Sequence, residues 1–203
     1  MPRINTEYRE DAKKKIIAAA LEVAAEKGWD AVTLEAIAQK VGVTKGALYS
    51  YFENRDALLH EVICEVLRNV RVGLKVALES NDDIHTTILD LADLFFEQQK
   101  RYAAIFYQLQ ARLPQDPRFR EEFSRFFNNN RIFLRDRIAR MKAEGKLSQD
   151  IDPEAISSTI MAMTMGLRMS TFCLGSDVNE AKKMWMDSVE RILGIGPAGK
   201  EER

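Results

Sequence analysis

Apolar residues recur along the chain at helical spacing, and the period-two alternation of strands is nearly absent. Ile16, Ile17, Ala20, Leu21 and Ala24 share one face of a first segment from about Glu7 to Lys27, with Gly28 where a left-handed C-terminal cap belongs. A long segment follows from about Arg55 to Leu78. Leu58, Leu59, Val62, Ile63, Val66, Leu67, Val70 and Leu74 form its stripe, Asn54 can cap its start, and Asp56 suits the positive end of its dipole. Ile84, Ile88, Leu91, Ala92, Phe95 and Phe96 mark another helix, and a shorter one spans Tyr102 to Arg112, with no breaker residue fixing the boundary between them. Asp116-Pro117 and Asp152-Pro153 each place a capping carboxylate before a proline at the first helical position. The helix after Pro117 carries the stripe Phe119, Phe123, Phe126, Phe127, Asn130, Leu134, Ile138 and Met141 and closes at Gly145. The helix after Pro153 ends near Leu174-Gly175, and Asp177 with Glu180 opens a last helix that reaches about Gly194. This pattern predicts an all-α fold of about nine helices, interrupted by no proline, with a mobile tail at 195–203.

Between the first helix and the long one lies a stretch of a different kind. Thr33 is an N-cap candidate, and Leu34, Ile37, Ala38 and Val41 give two turns of apolar face. Gly42 permits a sharp turn, Val43 reads as an apolar plug, and Thr44 is a second N-cap. Leu48 and Phe52 then supply an i, i+4 face to a short second helix. Two short helices joined through a glycine turn make a helix-turn-helix, here over about 33–52. The second helix directs Lys45, Gly46, Ala47, Tyr49, Ser50 and Tyr51 largely outward. Gly46 and Ala47 are small enough for the backbone to approach base edges and a thymine methyl. Lys45 sits in the positive first turn, the hydroxyls of Tyr49, Ser50 and Tyr51 suit phosphate oxygens, and Arg55 can pair with a backbone phosphate.

With these residues in view, the sequence resembles the TetR family of transcriptional regulators. The resemblance is carried by Thr33-Leu34-Glu35-Ala36-Ile37-Ala38, by Gly42 through Phe52, and by Asn54-Arg55-Asp56-Ala57-Leu58-Leu59. It covers roughly 9–69; beyond that only length, helix number and loop placement agree. It implies that Thr33, Lys45, Tyr49 and Tyr51 touch DNA, alongside the candidates Thr44, Gly46, Ala47, Ser50 and Arg55. Arg55 stands where the family usually has Lys, and Ala47 where Thr or Ser is common. The implied organisation is a DNA-binding domain at 1–54 and a ligand-binding and dimerisation domain at 55–194.

Charge changes the picture. The 203 residues hold 30 Lys and Arg against 31 Asp and Glu, a formal net charge of −1. Residues 1–60 alone hold nine basic and nine acidic side chains, so the usual strongly basic DNA-binding domain is missing. Arg3, Arg9 and Lys13 to Lys15 could supply a local positive field, or the lysines could be a solvated helix face. A moderate salt slope is expected. The chain offers no apolar run long enough for a bilayer and no signal-peptide core, so a cytoplasmic protein without membrane contact is expected. Cys64 and Cys173 read as reduced thiols, and with only His60 and His85 no zinc site or other cofactor is expected. No GxSxG, phosphate-cradling loop, HExxH or CxxC appears, which argues against an enzyme.

The family resemblance implies that the last two long helices pack against those of a second copy, with Ile156, Ile160, Met163, Leu167, Met184, Trp185 and Ile192 as interface candidates. A two-fold homodimer would present two recognition helices to a pseudo-palindromic operator in double-stranded DNA. Phe95, Tyr102, Phe106, Phe123, Phe127, Asn130, Met161 and Met165 are candidates for an apolar ligand cavity, with core packing as the alternative for each. Arg112, Arg118, Arg120, Arg125, Arg131, Arg135 and Arg137 are either a solvated face or the head-group site of an anionic amphiphile; a planar lipophilic ligand is the rival. Gly73 could ease bending of the long helix or be a tolerated surface glycine. The expected function is a ligand-responsive transcriptional regulator, in most of the family a repressor released by an inducer. The alternative is a ligand-binding helical protein that has lost DNA binding.

Overall fold

The structure is a computed structural model that describes residues 6–80, 83–98, 100–111 and 113–196. Arg3, Arg112 and the greater part of the expected tail lie outside them. The described residues form α1 (Thr6–Lys27), a 3₁₀ turn (Trp29–Ala31), α2 (Leu34–Val41), α3 (Lys45–Tyr49), α4 (Arg55–Glu79), α5 (Ile84–Asp93), a π-helical turn (Leu94–Gln98), α6 (Lys100–Gln110), α7 (Pro117–Ala143), α8 (Pro153–Leu174) and α9 (Val178–Leu193). The all-α expectation holds: no strand occurs among the described residues.

The caps explain why the helices begin where they do. Asp83, Asp116, Asp152 and Asp177 each accept backbone N–H groups at the starts of α5, α7, α8 and α9, from Thr86, from Arg118 and Phe119, from Glu154, and from Asn179 and Glu180. Asn54 does the same for α4 through Ala57 N–H at 2.8 Å. Every prolyl and aspartyl start read from the sequence is therefore a real helix start.

The chain divides into two compact units. The first holds the described residues up to Arg68 together with Ala104–Phe119; the second holds Asn69–Ala103 and the described residues from Arg120 on. The expected domain boundary at 54/55 does not coincide with this division, because α4 is one unbroken helix whose first half, 55–68, belongs with the helix-turn-helix.

In the first unit Ile16, Ile17, Ala20, Leu21 and Ala24 of α1 are buried, as are Ile37 and Ala38 of α2, Leu48 of α3, and Leu58, Leu59 and Val62 of α4. Burial of this kind stabilises by about 25 cal/mol per Å² of apolar surface, which is what holds short helices such as α3 in place.

In the second unit one apolar core collects Leu74 and Leu78 of α4, Ile88 and Leu91 of α5, Leu134, Ile138 and Met141 of α7, Ile156 and Ile160 of α8, and Trp185, Val189 and Leu193 of α9. Trp185 is its centre. Its ring meets Phe95 and Phe96 edge-on at 5.7 and 6.5 Å between centroids, and its indole N–H donates to Thr164 Oγ1 at 2.7 Å. Ile156, Ile160 and Trp185 were expected at a dimer interface; they are 8%, 4% and 0% exposed within the single chain, so they have no surface left for a partner. Phe95, half-buried, sets its ring edge-on against Trp185. Gly73 is neither a hinge by necessity nor a free surface position: a Cβ there would lie 2.4 Å from Leu94 Cδ1, so the glycine lets Leu94 pack against the α4 backbone.

Polar links tie the same unit together over long sequence distances. His85 of α5 meets the buried Glu190 of α9 at 3.1 Å, Lys182 of α9 pairs with Asp93, and buried Arg168 of α8 donates to the Phe95 carbonyl inside the π-helical turn. Three arginines of α7 pair with surface carboxylates: Arg125 with Glu121 and Glu122, Arg131 with Glu154, and Arg135 with Asp136 and Glu154. That favours the solvated-face reading of this arginine set. No helix among the described residues is long and apolar enough to cross a membrane.

Candidate nucleic-acid interface

The helix-turn-helix is built from short local rules. Thr33 Oγ1 accepts Ala36 N–H at 3.1 Å and starts α2; Thr44 Oγ1 accepts Ala47 N–H at 3.2 Å and starts α3. Between them Gly42 adopts φ 78° and ψ 33°, a left-handed conformation that L side chains avoid. Ala38 carbonyl accepts both Gly42 N–H and Val43 N–H at 3.0 Å, which closes α2 sharply enough for α3 to start after Val43. Val43 itself is 41% exposed, so it is not the plug that its position suggested. The inward role falls to Leu48, fully buried, and Phe52, 3% exposed. Backbone bonds from Tyr51 and Phe52 to the Leu48 carbonyl, both 2.9 Å, carry the helical course past Tyr49.

With Leu48 and Phe52 turned inward, Thr44, Lys45, Gly46, Tyr49 and Ser50 are exposed and Ala47, Tyr51 and Thr33 are half-buried. All of these expected contact residues therefore lie on or beside one short helix and the start of α2. Ser50 Oγ donates back to the Ala47 carbonyl at 2.7 Å. Two residues of α1 brace this surface. Arg9 donates to the Ser50 carbonyl at 2.8 Å and stands 5.9 Å over the Tyr51 ring, while Lys13 bonds Glu61 at 2.6 Å and stands 5.8 Å over Phe52. The sequence does not announce this brace, because partners more than forty positions apart leave no local signature.

Arg55 takes a different place from the one expected. Its Nε donates to the Val32 carbonyl at 2.7 Å and Nη2 to the Trp29 carbonyl at 3.3 Å. The guanidinium thus ties the 3₁₀ turn to the head of α4, a structural role that competes with a phosphate contact.

Several cations around this surface face carboxylates of the chain. Lys40 meets Glu22 at 3.0 Å and Glu26 at 3.4 Å, Lys14 meets Asp11 at 3.7 Å, and Lys45 pairs with Glu35. The Lys45 ammonium holds the Glu35 carboxyl below its ordinary range, and the Glu35 carboxylate in turn raises Lys45. Hydrogen bonding to Glu22 raises Lys40 in the same way. No cluster of His, Cys, Asp and Glu fit for a metal occurs among the described residues.

The comparisons with known proteins agree with this geometry. The family model of bacterial regulatory proteins of the TetR family matches residues 16–62, and that of the C-terminal region of BetI-type transcriptional repressors matches residues 82–194. The HTH-type transcriptional regulator YvdT of Bacillus subtilis is 32% identical over 92 residues, 45% of this chain and 47% of that protein. The chain thus spans about half of that relative. IcaR of Staphylococcus aureus, the negative transcriptional regulator of the biofilm operon icaADBC, is 25% identical over 186 residues, 90% of this chain and 97% of that protein. Among solved structures, a transcriptional regulator of Saccharomonospora viridis in complex with choline superposes with a TM-score of 0.78 at 16% identity, covering 89% of this chain and 96% of that one.

Proposed function

The chain belongs to the TetR family of bacterial regulatory proteins, and from that membership we propose that it is a ligand-responsive transcriptional repressor acting on a pseudo-palindromic operator. The observation that carries the reading is the double cap: Thr33 and Thr44 start two helices across a left-handed Gly42, and the second helix leaves Lys45, Gly46 and Tyr49 exposed on its outer side. Small residues there let the backbone approach base edges, and Lys45 and Tyr49 donate to bases or phosphates. Thr33, Thr44, Ala47, Ser50 and Tyr51 complete the proposed contact set.

Two copies act together. Met163 and Leu167 of α8 are half-buried, and Met184 of α9 with Met169 and Leu174 of α8 are 57%, 51% and 74% exposed. Large apolar side chains left in water on two adjoining helices favour a two-fold interface there. The effector is an apolar or amphiphilic small molecule taken up by the larger part of the chain. Asn130 supports this: on α7 it is a polar side chain only 3% exposed, set among the apolar residues of that helix. A buried amide favours a polar partner, and a ligand can be one. Phe123, Phe127, Met161 and Met165 are the proposed apolar walls. A ligand shifts the protein between operator-competent and released states by no more than its differential affinity for the two.

Fluorescence anisotropy tests the reading, with an operator drawn from the protein by selection from a random-sequence pool. Nanomolar binding that is lost in Lys45→Ala and Tyr49→Ala, and is not shared by scrambled duplex, is the expected outcome. Binding that is weak, equal on scrambled duplex and indifferent to both substitutions would leave a ligand-binding protein without DNA recognition.

A further inference from the structure

Lys45 is the one lysine on the recognition helix, and it is not free. Its ammonium is bonded to Glu35, a residue of the first turn of α2 ten positions earlier. Both side chains are about half exposed, at 47% and 63%, so the pair stands on the face that would meet DNA. The backbone around it is fixed: Thr33 caps the turn that carries Glu35, Thr44 caps the turn that carries Lys45, and α2 packs on α3. A carboxylate on a DNA-facing surface is otherwise unfavourable, because each phosphate repels it. Resting on the DNA-binding reading above, we propose that Glu35 is a specificity-determining residue, which positions the Lys45 ammonium for base readout and withholds it from phosphates.

The donors of lysine make base readout and phosphate contact different for this pair. An ammonium has three N–H groups. One is bonded to Glu35; two remain for acceptors such as O6 and N7 of a guanine, reached with the side chain where it already is. A phosphate contact is different. It draws Lys45 away from Glu35 and leaves an unpaired carboxylate close to the DNA backbone. Contacts of that kind supply nearly all sequence-independent affinity. Glu35 therefore suppresses binding to random DNA more than binding to the operator. Two further lysines near the helix-turn-helix, Lys13 and Lys40, are likewise paired with carboxylates, which leaves base readout a larger share of the affinity. The mutual shifts of Glu35 and Lys45, carboxyl lowered and ammonium raised, agree with a persistent pair.

The test compares wild type, Glu35→Gln, Glu35→Asp, Lys45→Gln and the Glu35→Gln/Lys45→Gln double variant on the selected operator and on a random-sequence duplex, across a salt titration. Circular dichroism checks that helicity is retained. Glu35→Gln is expected to bind the random duplex roughly 3- to 10-fold more tightly at moderate salt, with a slope of log affinity against log salt steeper by about 0.9 per protomer, the signature of one released cation. Its operator affinity is expected to rise by less than its affinity for the random duplex, because the gain in phosphate contact is offset where Lys45 is no longer held for base readout, so the specificity ratio falls. Glu35→Asp keeps the charge and should recover most of the discrimination. The double variant should match Lys45→Gln on random DNA. An unchanged random-duplex affinity and salt slope in Glu35→Gln, with operator binding intact, overturns the proposal. So does a loss confined to the operator, which would make Glu35 itself a base reader. A wild-type protein that enriches no sequence from the pool sinks the DNA-binding reading instead, and that result is distinct from both.

Discussion

Gly73 shows how much a single residue can carry that its local sequence does not announce. A methyl group there would lie 2.4 Å from Leu94 Cδ1, and Leu94 is 2% exposed, so it has little room to retreat. Alanine is the better helix former by about 1 kcal/mol, but overpacking of this kind typically costs about 1–3 kcal/mol, so Gly73→Ala should destabilise by about 1 kcal/mol net. Urea denaturation of Gly73→Ala alone and in a Leu94→Ala background checks this: with Leu94 shortened the sign should reverse, and an additive pair would show that the two do not touch. Asp83 makes a second case, through pH. Its carboxylate accepts the hydroxyl of Thr86 and then the Thr86 N–H, which hold it below its ordinary value of 3.8. A depressed carboxyl contributes stability that is fully present above 3.8 and is lost as pH falls through the lower folded value. Asp83→Ala should therefore melt at a lower temperature than wild type at pH 7, and the gap should close only as pH falls below 3.8 and through the lower folded value; Asp83→Asn should keep the cap and lose the acid dependence. Capping residues such as Asp83, Thr33 and Thr44 follow spacing rules within four residues, so those of the helix-turn-helix were legible in the sequence. Gly73 was not, because its partner is twenty-one positions away on another turn of the core.

At the scale of elements, caps, glycines and the apolar stripe mark most helix boundaries among the described residues, and the junction of α5 and α6 is the exception. Between α5 and α6 the chain makes the π-helical turn Leu94–Gln98, with no proline or glycine to mark it. Such a turn widens the hydrogen-bond ladder and leaves carbonyls in need of outside donors. Arg168 supplies one: it is 9% exposed on α8, bonds the Phe95 carbonyl, and lies 5.3 Å over the Phe172 ring. A buried arginine seventy-three positions from its acceptor has no signature in the spacing of apolar residues, and the same holds for His85 and Glu190. Arg168→Met keeps much of the apolar stem and removes the donor. It should cost about 2 kcal/mol, as charge-assisted bonds of this kind do, and should raise amide hydrogen exchange first in 94–98. Loss of stability without that local change would mean that the arginine acts through packing alone.

For the whole molecule the decisive quantity is the number of copies that meet the DNA. One recognition helix of five residues offers few contacts, and Lys13, Lys40 and Lys45 around it are already paired with carboxylates of the chain. A single copy would hold an operator weakly; two copies on a pseudo-palindrome bind with the product of their contacts, provided the half-sites lie about 34–36 Å apart. The chain places Met184 at 57% and Leu174 at 74% exposure on α9 and α8, while the neighbouring Trp185 is fully buried. This division separates association from folding. In a two-fold interface each substitution occurs twice, so Met184→Arg would bring two unpaired charges into one apolar contact. Light scattering should then show wild type at twice the chain mass of 23.2 kDa and the variant shifted to the single mass at micromolar concentration. The variant's operator affinity should fall at least 100-fold while binding to an isolated half-site is unchanged, as expected when an effective concentration is lost and the contact surface is not. Helicity should be retained, because an exposed side chain costs a fold little, whereas Trp185→Ala should lower stability by about 3–5 kcal/mol. A Met184→Arg protein that still runs at twice the chain mass and still holds the full operator would place the interface on another face.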